Sequence, residues 1–154
     1  MRKMSDAFFI STKDLTGSVP KSFFADSERR RCRMEVTLMA KHRLVVMRIY
    51  GEIDHHMAGE IKKRAEREIR STGAVNIALD FGGVTFMDSS GIGMIIGRYR
   101  TVHALGGSLI IYDASQQVLR LIEMAGINDL VIISDTLQHG INMMKNGKGE
   151  RINA

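Results

Sequence analysis

Short apolar stretches and longer segments of helical spacing alternate along the chain from Met34 onward. Residues 35–40 (EVTLMA) and 43–50 (RLVVMRIY) carry strand patterns on either side of a turn at Lys41-His42, which predicts a hairpin. Gly51 breaks that pattern. Residues 55–71 place Met57, Ala58, Ile61, Ala65 and Ile69 on one stripe, a helix with Asp54 at its N-cap. Its solvent side is expected to carry the i,i+4 pairs Glu60–Arg64 and Glu66–Arg70. Residues 75–81 (VNIALDF) predict a strand, and Val84 to Met87 form a second short apolar stretch.

A helix follows over about residues 90–104, with Ile92, Ile95, Ile96, Tyr99 and Val102 inward and Gly106-Gly107 as its stop. Residues 108–112 (SLIIY) predict a strand. Ser115 caps a helix with Val118, Leu121, Ile122 and Ala125 on one face, closed by Gly126. Residues 130–133 (LVII) form the last strand and 135–145 the last helix, with Leu137, Ile141 and Met144 inward. The order is ββαβαβαβα. Strands joined by helices run mostly parallel, because a parallel crossover needs a connection of helical length. The expected fold is therefore α/β, a mostly parallel sheet with an opening antiparallel hairpin and packed helices.

The patterning begins at residue 34, itself a Met. Upstream lie the only Pro (Pro20) and the only Cys (Cys32), with no sustained periodicity. Residues 1–33 are expected to be an N-terminal extension, either disordered or translated from an upstream start. Residues 34–154 are expected to form a single domain, long enough to bury a core. The 154 residues are 44% hydrophobic, which fits a globular protein and not wholesale disorder. No run of 18 apolar residues occurs, so no membrane span is expected, and a single Cys excludes a disulfide scaffold. Polar residues interrupt any apolar signal segment after Arg2 and Lys3, and a cytoplasmic location is expected.

The net charge of +5 raises the question of nucleic acid. Residues 1–33 carry eight basic and four acidic residues; residues 34–154 carry 14 and 13. The patterned part is nearly neutral and only 6% of the chain is aromatic, so no nucleic-acid partner is expected. The run Arg29-Arg30-Arg31 with Arg33 is either a solvated tail or a contact for an anionic partner.

Four motifs of catalysis or nucleotide binding fail. G-x-S-x-G would need glycine where Met87 or Asp88 stands. G-x-G-x-x-G starts at Gly91 and Gly93, but its third glycine falls at Gly97, one place late. A P-loop would need G-K-[ST] where the chain has Gly97-Arg98-Tyr99. Asp54, His55 and His56 do not complete a metal site, because adjacent histidines at a helix start point apart. No cofactor and no metal are expected.

The unusual stretch is Phe86-Met87-Asp88-Ser89-Ser90-Gly91-Ile92-Gly93, where a strand turns into a helix. In a parallel sheet that is the carboxyl edge, where functional loops collect. One reading is structural: Asp and Ser cap the helix, and Gly91 and Gly93 let it approach the sheet. The other is that a hydroxyl is presented to a partner and modified, since a helix N-terminus tolerates a phosphate. A third reading, a small hydrolase using Ser89 or Ser90 with His55 or His56, lacks a nucleophile elbow.

This stretch, continued by Met94-Ile95-Ile96-Gly97-Arg98-Tyr99, resembles the phosphorylation loop and helix of the STAS-domain anti-anti-sigma factors. Gly51-Glu52-Ile53-Asp54-His55-His56 resembles the turn entering that family's first helix, and Ala125-Gly126-Ile127 is a weaker third match. The double His and the Gly97-Arg98-Tyr99 ending are similar to the family's sporulation members. The resemblance covers about residues 34–145, and residues 1–33 have no counterpart in it.

The resemblance implies a STAS-like single domain and a non-enzymatic switch. The unphosphorylated form would bind an anti-sigma factor serine kinase, with the kinase's own ATP or ADP, and so free a sporulation sigma factor. Phosphorylation on Ser89 would inactivate it, and a serine phosphatase would reverse this. Asp54, Asp88, Ser89, Ser90, Gly91 and Ile92 would form the partner-binding surface of a monomer. The same fold would also suit a STAS module of another partner-switching or stress-response system, or of a transporter.

Overall fold

The computed structural model describes residues 33–153. Pro20, Cys32 and the run Arg29-Arg30-Arg31, and with them nearly all of the expected extension, lie outside the described residues. The elements are β1 (Arg33–Met39), β2 (Leu44–Ile53), α1 (His55–Thr72), β3 (Asn76–Met87), α2 (Ser89–Ala104), β4 (Leu109–Tyr112), α3 (Gln116–Met124), β5 (Ile132–Ser134) and α4 (Leu137–Asn153). The order is the one expected, and a 3-10 turn at Ala40–His42 joins the first two strands. The five strands stand in sequence order, β1 antiparallel to β2 and the other neighbours parallel.

Alternation along β2, β3 and β4 divides two apolar layers. Val45, Met47, Ile49, Ile77, Leu79, Phe81, Leu109 and Ile111 point to the face covered by α1, α2 and α3, where Ile61, Ile95 and Ile122 meet them. Leu44, Val46, Ala78 and Ile110 point to the other face, where Ile141 and Met144 of α4 cover them. A strand buried on both faces needs apolar residues at every position, and the four-residue β4 (LIIY) is buried throughout.

Two strands run further than their patterns predict. β2 passes through Gly51, whose φ of 99° absorbs an irregularity, and its register with β3 shifts at Arg48/Tyr50 and Gly51/Glu52. β3 merges the two predicted stretches into one strand through Gly82-Gly83, where the bulged β2 comes so close that a Cβ on Gly83 would strike the Tyr50 ring. β5 is displaced toward the C-terminus from the predicted 130–133, because Leu130 closes a turn by donating its N–H to the Ile127 carbonyl at 3.0 Å. α4 continues past the predicted end at 145 to Asn153.

The charges on α1 pair differently from the simple i,i+4 expectation. Lys63 pairs with Glu60 at 3.6 Å and Arg64 with Glu68 at 2.8 Å. Glu66 reaches across to Arg98 of α2 at 3.6 Å instead of to Arg70. Arg98 is only 3% exposed and its Nη1 also donates to the Lys62 carbonyl at 3.4 Å. Burial lowers its pKa, against the pull of Glu66. It therefore acts as a strut between α1 and α2. The buried face of α2 accordingly runs through Gly91, Met94, Ile95, Arg98 and Val102, while Ile92, Ile96 and Tyr99 are only partly covered.

Beyond α4 the second face of the sheet carries Arg48, Asp80 and Tyr112, with Arg48 Nε 3.5 Å from Asp80 Oδ2. Burial pushes the Tyr112 phenol up to about 12; Asp80 adds to the shift and Arg48 opposes it. In the unfolded chain a tyrosine titrates near 10. Between these values the folded state holds the proton that the unfolded state has lost, so stability is intact below about pH 10 and falls as the pH rises toward 12. Tyr112→Phe should flatten that alkaline limb in urea midpoints measured against pH. An equally steep limb in the variant would remove Tyr112 as its cause.

Candidate functional site at the carboxyl edge of the sheet

The parallel register pairs Ile53 of β2 with Met87 of β3, and each strand is followed at once by an aspartate and a helix. Asp54 is the N-cap of α1, its Oδ1 accepting from the Met57 N–H at 2.9 Å. Asp88 is the N-cap of α2, its Oδ1 accepting from the Ser90 N–H at 2.8 Å. The two caps are tied together by the Asp88 N–H, which donates to the Ile53 carbonyl at 3.4 Å. Sequence positions 34 residues apart thus become neighbours because two parallel strands end side by side.

Ser89, the first residue of α2, is exposed; Ser90 is half-buried, with its N–H held by Asp88. Gly91 is buried, and a Cβ there would collide with the Met87 side chain and approach Ile53 Cγ2 at 3.4 Å. Glycine is therefore required for α2 to start flush against the strand ends. Gly93 differs from expectation: nothing lies within 4 Å of its missing Cβ, nor of that of Gly97, so neither glycine serves packing against the sheet. Ile92 is partly withdrawn into the core. His55 and His56 are exposed on the first turn of α1. Among the described residues no hydrogen bond joins either histidine to Ser89 or Ser90.

The other parallel strands repeat the arrangement. Asp113 follows β4 with a left-handed φ of 61°, and Asp135 follows β5. There the caps are hydroxyls: Ser115 Oγ accepts from the Val118 N–H at 3.2 Å, and Thr136 Oγ1 from the His139 N–H at 3.1 Å. The Thr136 cap and the Arg98 strut are absent from the sequence expectation. An [ST]-cap search one residue downstream of Asp135 finds the first, whereas a charged residue inside an apolar stripe gives no signal for the second.

Loss of the Asp54 carboxylate should cost about 1 kcal/mol of stability, as N-cap truncations do. Asp54→Ala, examined by urea unfolding, should lower the midpoint accordingly. An unchanged midpoint would mean that water replaces the cap without loss.

Comparison with known proteins agrees with this geometry. The family model described as "STAS domain" matches residues 35–140. The anti-sigma F factor antagonist of Paenibacillus polymyxa is 34% identical over 98 residues, 63% of this chain and 84% of the relative. The structure of the anti-sigma factor antagonist SpoIIAA in its unphosphorylated form superimposes with a TM-score of 0.64 at 26% identity, covering 74% of this chain and 97% of that one. The Bacillus cell fate determinant SpoIIAA in its phosphorylated form gives a TM-score of 0.58 at 26% identity, covering 71% and 97%. With the family match spanning both capped turns and reaching every strand of the sheet, the chain belongs to the STAS-domain family.

Proposed function

We infer that the protein is an anti-sigma factor antagonist: a switch without catalysis of its own, read out at the Asp54–Ser89 edge. Unphosphorylated, it binds an anti-sigma factor serine kinase that carries its own ATP or ADP, and so releases a sporulation sigma factor. Phosphorylation of Ser89 ends that binding, and a serine phosphatase restores it. Asp54, Asp88, Ser89, Ser90, Gly91 and Ile92 form the contact surface. The observation that carries this reading is the exposed Ser89 at the start of α2, beside a second capped turn tied to it by the Asp88 N–H to Ile53 carbonyl bond. The name and phosphorylated state of the relatives support it.

The test is incubation with a sporulation anti-sigma kinase and ATP, followed by intact mass and phosphopeptide mapping. One phosphate on Ser89 is the expected result. Transfer to Ser90 would move the switch. Absence of transfer from a sporulation kinase, with transfer from a stress-response kinase, would place the chain in the other partner-switching system.

A further inference from the structure

Among the described residues Phe86 is the only phenylalanine or tyrosine left exposed, at 43%. Scattered apolar side chains on a surface are ordinary and imply nothing by themselves. This ring differs in how it comes to lie outside. Along β3, Phe81 and Val84 are buried, and strict alternation from Val84 would turn Thr85 out, Phe86 in and Met87 out. The register with β2 shifts instead: Gly51 stands opposite Val84 and Glu52 opposite Phe86, which makes Thr85 an extra residue on β3. A slip of one residue exchanges the two faces of a strand. Met87 thereby enters the core at 3% exposure, and Phe86 is turned out of it. Bulges recur beside functional sites, where they re-aim a side chain.

The end of β3 overhangs the rest of the sheet. β4 last pairs with it at Asp80 opposite Tyr112, and from there to Met87 the described residues give β3 only β2 as a strand neighbour. The apolar cover of α4 lies on Leu44, Val46, Ala78 and Ile110, toward the other end of the sheet. Ser89 follows Phe86 by three residues, a separation of no more than about 11 Å. An ordinary protein interface covers about 800 Å² on each partner, a patch much wider than that. Such interfaces concentrate aromatic rings at their buried centres and deplete charge there. The switch edge otherwise has little of this kind to offer. Asp54, Asp88, Ser89 and Ser90 are polar, Gly91 is buried, and Ile92 is partly withdrawn into the core.

We propose that Phe86 is a binding residue of the switch surface, its ring held in an apolar pocket of the anti-sigma kinase while Ser89 is presented beside it. The proposal rests on the switch reading above. It divides the labour at this edge: the ring supplies affinity, and the state of the Ser89 hydroxyl decides whether that affinity is used. The ring does not set the position of the hydroxyl, which follows from the Asp88 cap and the close approach at Gly91.

The experiment titrates the full chain, Phe86→Thr and Phe86→Tyr into a sporulation anti-sigma kinase loaded with ADP, by calorimetry, and follows phosphorylation with ATP by intact mass. Threonine suits a strand, so Phe86→Thr should fold with a thermal midpoint close to the parent's. It should bind about thirtyfold more weakly or worse, the loss typical of a central anchor. Its KM as a kinase substrate should rise while kcat stays within about twofold, and Phe86→Tyr, which keeps the ring, should recover most of the affinity. One readout needs no substitution: in the parent chain the Phe86 ring protons, broadened by a soluble nitroxide, should be shielded from it once the kinase binds. Equal affinity for Phe86→Thr and the parent, or a ring that stays open to the nitroxide in the complex, overturns the proposal. So does a fall in kcat with KM unchanged, which would make Phe86 a support for the Ser89 turn. A parent chain that binds no such kinase overturns the switch reading and this proposal together, whereas a parent that binds alongside an equally tight Phe86→Thr overturns this proposal alone.

Discussion

Ser89→Asp should fold like the parent protein and bind the anti-sigma kinase about a hundredfold more weakly or worse. The side chain is exposed at the first position of α2, where an acidic residue is locally compatible with the helix dipole. Circular dichroism and the thermal midpoint should therefore change little. Binding is different. A carboxylate at position 89 directly follows the capping Asp88, and burying it against a partner that accepts a neutral hydroxyl strips its water without a designed counter-charge. A penalty of about 3 kcal/mol corresponds to roughly a hundredfold in affinity. Ser89→Ala should bind like the parent and accept no phosphate. Calorimetry with the kinase checks both variants, and an Asp variant that binds as tightly as the parent overturns the account.

Asn76→Ala should be among the most destabilising polar truncations in the domain. Asn76 is 7% exposed at the start of β3. Its Nδ2 donates to the His42 carbonyl at 2.9 Å, and its Oδ1 accepts from the buried Ser108 N–H at 2.8 Å. One amide thereby pins the β1–β2 turn and the entry to β4 onto β3. Alanine leaves both backbone groups unpaired at about 1–3 kcal/mol each, so a loss of about 2–4 kcal/mol is expected. That is a large share of the about 5–15 kcal/mol that holds a typical domain together. Urea unfolding measures it. Because Asn76 lies at the opposite edge of the sheet from Ser89, kinase binding by the folded fraction should be unaltered. A loss of binding in the folded variant would show that the two edges are coupled.

Asn76 also marks the boundary of what a sequence reveals. The element order, the inward stripe of α1 and the caps Asp54, Asp88 and Ser115 follow from local rules: apolar spacing, and oxygen side chains just ahead of helices. The Asp54 and Ser89 turns were each legible as a helix start. Their adjacency depends on which strands pair, and it came from family resemblance and from the parallel register, not from spacing. Arg98 escaped because its burial depends on Glu66 and the Lys62 carbonyl of another helix. The continuity of β2 through Gly51 and β3 through Gly82-Gly83 escaped for a similar reason: a glycine reads as a break locally, yet here it admits a neighbouring strand.

The mixed sheet has a consequence for how the molecule assembles. Only β1 and β2 meet across a short turn, and such a hairpin closes in about 1–10 μs. Every parallel pairing, beginning with Leu44 to Asn76, must first close a loop that contains a whole helix. Those closures lose chain entropy before contacts repay it, and they set the pace of folding. The Asp54 and Ser89 turns become neighbours only when the β2–β3 closure is complete. A nascent or partly unfolded chain carries them on separate segments, so a partner that reads both at once engages finished molecules alone.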